Sequence, residues 1–164
     1  MPLIIEGNLT FDFPPSWTAL KYDRSQFYLN EFQHSAKAVD ILAIEPTACC
    51  WLIEIKDYRK GHKTSAVRLA GVVAQKVRDT LAGLATARVR ATGNDQRVAQ
   101  ASMTCSDLRV VLHMENPAVT SILFSRAINP ANVQSELRRK VGAIDSRFQV
   151  VDAQSCLHLP WTVQ

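Results

Sequence analysis

The sequence predicts an α/β fold in which a mixed central β-sheet is flanked by helices. Two short apolar stretches, at residues 38–45 and 50–57, are rich in β-branched and aromatic residues and are typical of neighbouring strands, with a turn at 45–47 between them. A long amphipathic repeat over 66–90 predicts a helix, and strands alternate with helical patterns after it. The 164 residues are 47% hydrophobic, which is enough for one core, so we expect a single domain over residues 1–164.

The N-terminal quarter is less regular. Residues 3–13 favour a strand or an arm that ends at two prolines. Ser16 is a suitable N-cap for a short helix that runs to Tyr22. Residues 26–33 alternate loosely between apolar and polar side chains, so we interpret them as the first strand of a meander, with a helix as the alternative.

The repeat over 66–90 is the clearest helical signal in the chain. Either Thr64 or Ser65 can cap its first turn. Its apolar positions recur at intervals of three and four residues, which is the pattern of one buried helical face. These positions are Val67, Ala70, Ala74, Val77, Leu81 and Leu84.

Three more strands and a further helix are predicted in the C-terminal half. Residues 108–114 and the apolar run 119–124 have strand character. Asn129 is followed by a proline, which favours a helix that begins at 130 and ends near 141. Residues 148–152 are predicted to form a last strand.

Three charged residues lie in or beside the two apolar strands. Asp40 lies in the first strand, and Glu54 and Lys56 lie near the end of the second. Successive strand side chains point to opposite faces, so Glu54 and Lys56 share a face and Ile55 lies opposite. If the strands pair as a hairpin, Asp40 comes to the same edge, and two carboxylates and one ammonium group meet within a few ångströms.

This combination suits the hydrolysis of phosphodiesters. Two carboxylates, here Asp40 and Glu54, are hard oxygen ligands for Mg²⁺ or Mn²⁺, and Mg²⁺ usually takes one or two of them. The metal ion polarises a phosphoryl oxygen and activates water, while a lysine such as Lys56 stabilises the developing charge. The alternative is an ordinary ion pair on the exposed face of an antiparallel sheet.

The order Asp40, turn, two hydrophobic residues, Glu54, Ile55 and Lys56 resembles the motif of the PD-(D/E)xK nuclease superfamily. The resemblance implies a restriction-endonuclease-like fold. It also implies that Asp40 and Glu54 are metal ligands, with the Ile55 carbonyl as a further one, and that Lys56 is the catalytic lysine. The proline of the motif name is replaced by Val39, a substitution that the family tolerates.

Many members of that superfamily also carry an acid on their first helix. This chain has no clear counterpart, and Asp23 and Glu31 are the two candidates.

The basic turn that follows Lys56 contributes candidate nucleic-acid-binding residues. Arg59, Lys60 and Lys63 are placed to hold a phosphate backbone by charge, and a solvated loop is the alternative. The formal net charge of +4 favours an anionic partner, and we expect DNA. A domain of this size that cut both strands of a duplex would act as a homodimer.

Composition limits the remaining classes of protein. No apolar run reaches the length of a membrane span, and the N-terminus lacks the pattern of a signal peptide, so we expect a cytoplasmic protein without a membrane partner. The four cysteines have no zinc-ligand spacing and are interpreted as small buried hydrophobes; a cysteine nucleophile stays an alternative without a local signature.

The leading hypothesis is therefore a Mg²⁺-dependent phosphodiesterase of endonuclease type that acts on DNA. The first alternative is a catalytically inert module of the same fold that binds nucleic acid. The second is a protein-interaction subunit with no nucleic-acid role.

Overall fold

The computed structural model describes residues 2–60, 64–117 and 128–164. In that part of the chain two sheets pack face to face, and helices cover the outer face of the larger sheet. The strands are β1 (Leu3–Glu6), β2 (Leu9–Asp12), β3 (Thr18–Lys21), β4 (Ile41–Glu45), β5 (Cys49–Asp57), β6 (Asp107–Glu115), β7 (Gln149–Val151) and β8 (Thr162–Val163). The α-helices are α1 (Ala66–Arg90), α2 (Gly93–Thr104) and α3 (Pro130–Val141).

The larger sheet has five strands in the order β3-β4-β5-β6-β7. Neighbours β3, β4 and β5 run antiparallel, whereas β5, β6 and β7 run parallel. Parallel strands need a long crossover, and here α1 and α2 connect β5 to β6, while α3 lies between β6 and β7. The predicted α/β class with a mixed sheet and helices is confirmed.

Different elements pack against the two faces of this sheet. Alternate residues of β5, such as Leu52, pack with the apolar stripes of all three α-helices. The opposite residues, such as Ile53, pack against the hairpin of β1 and β2 and the C-terminal segment. The helices thus lie on one face, and a three-stranded sheet of order β1-β2-β8 contributes to the other.

Two of the helices that were predicted from a cap are confirmed. The side chain of Ser65 accepts a hydrogen bond from the Arg68 N–H at 3.2 Å and so begins α1. Asn129 accepts from the Ala131 N–H at 2.9 Å, next to the proline that opens α3. Each cap satisfies a backbone donor that the first helical turn leaves free.

The two apolar strands pair as the predicted antiparallel hairpin. Ile41 lies opposite Ile53, and Glu45 lies opposite Cys49. The short turn between them contains Thr47 at a φ of 59°, a left-handed conformation in which a β-branched residue is strained.

Two predictions for the N-terminal part are wrong. Residues 16–22 do not form a helix, because Thr18–Lys21 pairs with β4 and extends the sheet instead. Residues 26–33 do not form a strand, since Tyr28–Phe32 forms a short π-helix, in agreement with the helical alternative. At Thr18–Lys21 the pairing with β4, and not the local pattern, decides the structure.

Helix α2 was not predicted at all. The strand predicted at 119–124 lies outside the described residues. Among the helices that the structure describes, none combines the length and the apolarity needed to cross a bilayer.

Candidate functional site

Glu54 lies near the end of β5, on the face that α1 covers. Its side chain is 1% exposed, which is unusual for a carboxylate. Lys56 follows two residues later on the same face, at the margin of the sheet, with 27% of its side chain exposed. Strand alternation therefore places one buried acid and one half-exposed amine side by side.

Asp40 immediately precedes β4 and reaches the same point. Strand β5 continues beyond the β4 pairing, which begins at Ile41 opposite Ile53. The carboxylate of Asp40 accepts a hydrogen bond from the Ile55 N–H at 2.7 Å through Oδ2. The side chain thus takes the place of the strand partner that β4 no longer provides.

A second lysine, Lys76 of α1, joins the two carboxylates. Its Nζ lies 3.1 Å from Oδ1 of Asp40 and 2.7 and 2.9 Å from the two oxygens of Glu54. The Nζ of Lys56 donates to Oε1 of Glu54 at 2.5 Å. The site therefore contains two acids and two amines with no formal net charge, and we call these four residues the Lys–carboxylate cluster.

Burial disfavours the charged form of Glu54, the more deeply buried acid of this cluster. Removal of Glu54 from water, together with the charge of Asp40, raises its pKa from 4.5 to about 6, although both lysines oppose the change. Burial lowers the pKa of Lys76, but the charges of Glu54 and Asp40 outweigh it, so that pKa lies above 10.5. Lys76 consequently stays protonated at neutral pH.

Two further titratable groups approach the cluster. The pKa of Asp23 is raised by burial and then by the charge of Asp40. The pKa of Tyr58 is raised by burial and then by the charge of Glu54. Of the two acids considered for the first helix, Asp23 is therefore the one near Asp40, although it lies in a short 3₁₀ turn (Tyr22–Arg24).

The remaining hydrogen-bonding capacity lies mainly on Lys56. An ammonium group has three N–H donors. Lys76 directs donors to both carboxylates, whereas the hydrogen bonds described for Lys56 use one donor, to Glu54. Because Lys56 is also the more exposed of the two, it can present its other donors to an anion at the surface.

The predicted nucleic-acid-binding residues have different surroundings. The guanidinium of Arg59 makes two hydrogen bonds to Asp57, at 2.9 and 2.6 Å. Lys60 is exposed and makes no ion pair within the described residues. Lys63 lies outside the described residues.

The alternative of an exposed ion pair does not describe Glu54, since that side chain is buried beneath α1. The apolar stripe predicted for α1 leaves Lys76 outside it, with a surface position as the default, and that expectation is wrong because Lys76 pairs with both carboxylates. A signal was present: Leu69, Val73, Lys76 and Thr80 follow the spacing of one helical face, and its other three members are buried. A lysine in such a stripe needs an acidic partner, which Glu54 provides.

The roles of Asp40 and Glu54 as metal ligands stay a prediction. Both carboxylates converge on the Nζ of Lys76, so they are arranged around a single cation. Across residues 2–60, 64–117 and 128–164, no group of three or more His, Cys, Asp and Glu side chains is placed to hold a metal ion.

Comparison with known proteins gives a relative of a different class. The chain is 30% identical to a cysteine--tRNA ligase of Neisseria meningitidis serogroup A / serotype 4A over 81% of its own length. It spans only about a quarter, 24%, of the ligase. No family model matches the chain, and no solved structure matches it either.

This relative contradicts the function that was predicted from the motif. The predicted membership of the PD-(D/E)xK nuclease superfamily is wrong, because the relative is a cysteine--tRNA ligase. The activities derived from that membership are wrong for the same reason, namely the Mg²⁺-dependent phosphodiesterase and the nuclease, endonuclease and hydrolase activities. The inert module of that superfamily gains no support either. The physical reason for the error is simple: strand alternation places an acid and a lysine on one face whenever they are two residues apart, whatever the protein does.

Proposed function

We propose that this chain is an RNA-binding domain that contacts tRNA in the context of tRNA charging. The observation that carries the proposal is the similarity to a cysteine--tRNA ligase along 81% of the chain. The net charge of +4 supports a polyanionic partner.

Binding, and not the complete charging reaction, is the role we assign. The chain spans 24% of the ligase. Its six glycines are at least ten residues apart, so neither of the common glycine-rich phosphate loops, G-x-x-x-x-G-K-[ST] and G-x-G-x-x-G, occurs in it. A contribution to the recognition of tRNA fits a segment of this size.

The Lys–carboxylate cluster is the contact that we propose for the RNA backbone. Lys56 would direct its remaining N–H donors to phosphate oxygens, with Lys60 beside it on the exposed turn and Arg59 held by Asp57. Lys76 is a positioning residue, because its ammonium group neutralises the acids beneath and keeps them from repelling the phosphate. Contacts of this kind position the RNA without reading its sequence.

A Mg²⁺ ion, or Mn²⁺ in its place, is a further proposal for the same site. Asp40 and Glu54 are hard oxygen donors that already share one cation, Lys76, so they fit the ligand preferences of Mg²⁺. Such an ion would supply positive charge for a phosphate oxygen. Isothermal titration of wild type and Glu54→Gln with MgCl₂ tests this, and equal heats in the two proteins would exclude Glu54 as a ligand.

Salt-dependent binding is the decisive experiment. Filter binding of a cysteine-accepting tRNA transcript, and of a DNA duplex of matched length, is measured between 50 and 200 mM salt. We expect tighter binding of the tRNA. Replacement of Lys56 by Met should weaken it about three- to tenfold and lower the slope of log K against log salt by about one.

Arg147→Gln is the matched control, because it removes one exposed cation at the opposite end of the sheet, where Arg147 pairs with Asp107 opposite Cys49. This variant should bind as wild type does. Equal binding by Lys56→Met and wild type, or a preference for duplex DNA, would reject the proposal. The RNA is recovered and run on a denaturing gel, where strand cutting that depends on the cluster would reject it as well.

Three finer predictions stay proposals. The restriction-endonuclease-like arrangement of the sheet stays a prediction about fold alone. A cytoplasmic location agrees with a role in tRNA charging. The homodimer was expected for the cutting of two strands, and sedimentation velocity of the protein with and without tRNA measures it directly.

A further inference from the structure

An apolar cavity lies at the open edge of the smaller sheet, on the side of the central sheet away from the Lys–carboxylate cluster. Its volume is about 420 Å³, within the range of about 300 to 1,000 Å³ that is usual for ligand pockets. The walls include Phe13, Pro14, Cys156, Leu159 and Trp161. The rings of Phe13 and Trp161 lie 5.4 Å apart, so the walls are made of packed side chains and short proline segments.

One wall of the cavity carries a carboxylate. Asp12, at the end of β2, lines the cavity together with these apolar groups. Its Oδ1 is buried and has no hydrogen-bond partner, and Asp12 makes no ion pair in the part of the chain that the structure describes. Asp12 is only partly buried, and its carboxylate has no cation partner among the described residues. A positively charged group at this wall of the cavity would therefore complement Asp12.

The apolar surface continues past the cavity. Leu157 at its rim is 87% exposed, and Pro15 and Pro160 are exposed beside it. A small molecule that filled the cavity would leave this rim uncovered. The patch is therefore better matched to a chain that extends beyond the cavity.

The adjacent strand has an edge that pairs with no other strand among residues 2–60, 64–117 and 128–164. In the order β1-β2-β8, strand β8 is the last. Thr10 and Gln164 exchange both backbone hydrogen bonds, at 2.8 and 3.0 Å. In an antiparallel ladder the neighbouring residue Val163 then directs its N–H and C=O away from β2. These groups can accept another extended strand.

We propose that this edge docks an extended peptide segment of a partner protein, in which a lysine or arginine stands beside an apolar residue. The apolar side chain occupies the cavity, whose walls include Phe13 and Trp161, and the cation faces Asp12. The peptide backbone runs along β8 and covers Leu157. This site is independent of the proposed tRNA contact, since it lies on the other face of the sheet.

A random 12-residue peptide library displayed on phage, selected on the immobilised full chain, is the probe. We expect enriched peptides that carry Lys or Arg next to Leu, Ile or Pro. A synthetic, fluorescein-labelled copy of the most enriched peptide is then titrated by fluorescence polarisation. Asp12→Asn should weaken its binding about tenfold, and salt should weaken the wild-type complex more than the variant.

Leu157→Glu is the second variant, because a side chain that is 87% exposed can be replaced without loss of folding. It should also weaken the peptide about tenfold. Leu3→Glu, at a 57% exposed position of β1 on the other edge, is the matched control and should bind as wild type does. Circular dichroism verifies that all three variants fold.

Two results would overturn the proposal. One is the absence of any enriched peptide, or peptides that bind Asp12→Asn and Leu157→Glu as tightly as wild type. The other is that the cavity binds a small amine and no peptide. In that case phenethylamine binds to wild type, Asp12→Asn weakens this binding, and no peptide binds.

Discussion

Replacement of Glu54 by glutamine should make the protein more stable at neutral pH. The pKa of Glu54 in the folded protein is about 6, above its ordinary value of 4.5, because the carboxylate is buried and lies near Asp40. Between these two values the unfolded chain has lost the proton and the folded chain still holds it. The free energy of unfolding therefore falls as pH rises from about 4.5 to 6, and then stays level.

The size of the effect follows from the same two values. The difference between about 6 and 4.5, at about 1.4 kcal/mol for each pKa unit, corresponds to roughly 2 kcal/mol of stability lost at pH 7. Glutamine keeps the shape of the protonated acid and has no charge to bury. We therefore expect Glu54→Gln to gain up to about 2 kcal/mol at pH 7, or about 4 to 8 °C in Tm.

Urea unfolding at pH 4.5, 5.5, 6.5 and 7.5, followed by tryptophan fluorescence, measures the prediction. The gain should be near zero at pH 4.5 and grow to its full value by pH 6.5. Glu31→Gln, at an exposed glutamate, should stay within about 0.5 kcal/mol of wild type throughout. If Glu54→Gln is instead the less stable protein at pH 7, the ion pairs with the two lysines outweigh the cost of burial, and the reasoning fails.

Three other variants test the surrounding structure by urea unfolding. Lys76→Met removes the ammonium group that joins two carboxylates and should cost about 2 to 4 kcal/mol at pH 7, since it leaves Asp40 without a cation and Glu54 with Lys56 alone; a loss below 0.5 kcal/mol would contradict this. Gly83→Ala places a methyl group about 2.7 Å from the Tyr22 hydroxyl and should cost about 1 to 3 kcal/mol; an unchanged midpoint would show that Tyr22 moves aside. Asp145→Ala removes the buried acceptor of the Val110 N–H, at 2.8 Å, and should cost about 1 to 3 kcal/mol; a neutral result would mean that water replaces the carboxylate.

Local signals were sufficient wherever a pattern and its boundary agreed. Helix α1 combines an apolar repeat with the cap at Ser65, and α3 combines Asn129 with a following proline, so both helices were predicted within a residue or two. The β4–β5 hairpin was predicted for the same reason, since two β-branched runs flank a short turn.

Structure that depends on distant partners was not predictable from one sequence. Residues 16–22 have a helix cap at Ser16, but pairing with β4 makes Thr18–Lys21 a strand. Helix α2 has few buried side chains, among them Val98 and Ala99, so its periodicity is weak. The contact between Lys76 and the acids joins a helix to a strand more than 20 residues away, and only the packing of α1 on the sheet creates it.

Function was the property that the sequence alone predicted least well. The spacing of Glu54 and Lys56 describes how a strand displays two side chains, and the same geometry serves a hydrolase, an RNA contact or a structural ion pair. The similarity to a ligase over most of the chain decides against the first of these.

The hydrogen bond from the Ile55 N–H to Asp40 has a consequence for how such sites persist in evolution. Because this carboxylate closes the hairpin where β4 ends, its loss would leave a backbone donor without a partner. Selection for a folded sheet is thus enough to retain a side-chain oxygen acceptor, an acid or an amide, at this position, even in descendants that bind no ligand. Lys56 makes no described hydrogen bond to the backbone, so its replacement would not disturb the sheet in this way. Substitution at Lys56 is therefore a better indicator than substitution at Asp40 of whether a lineage still uses the site.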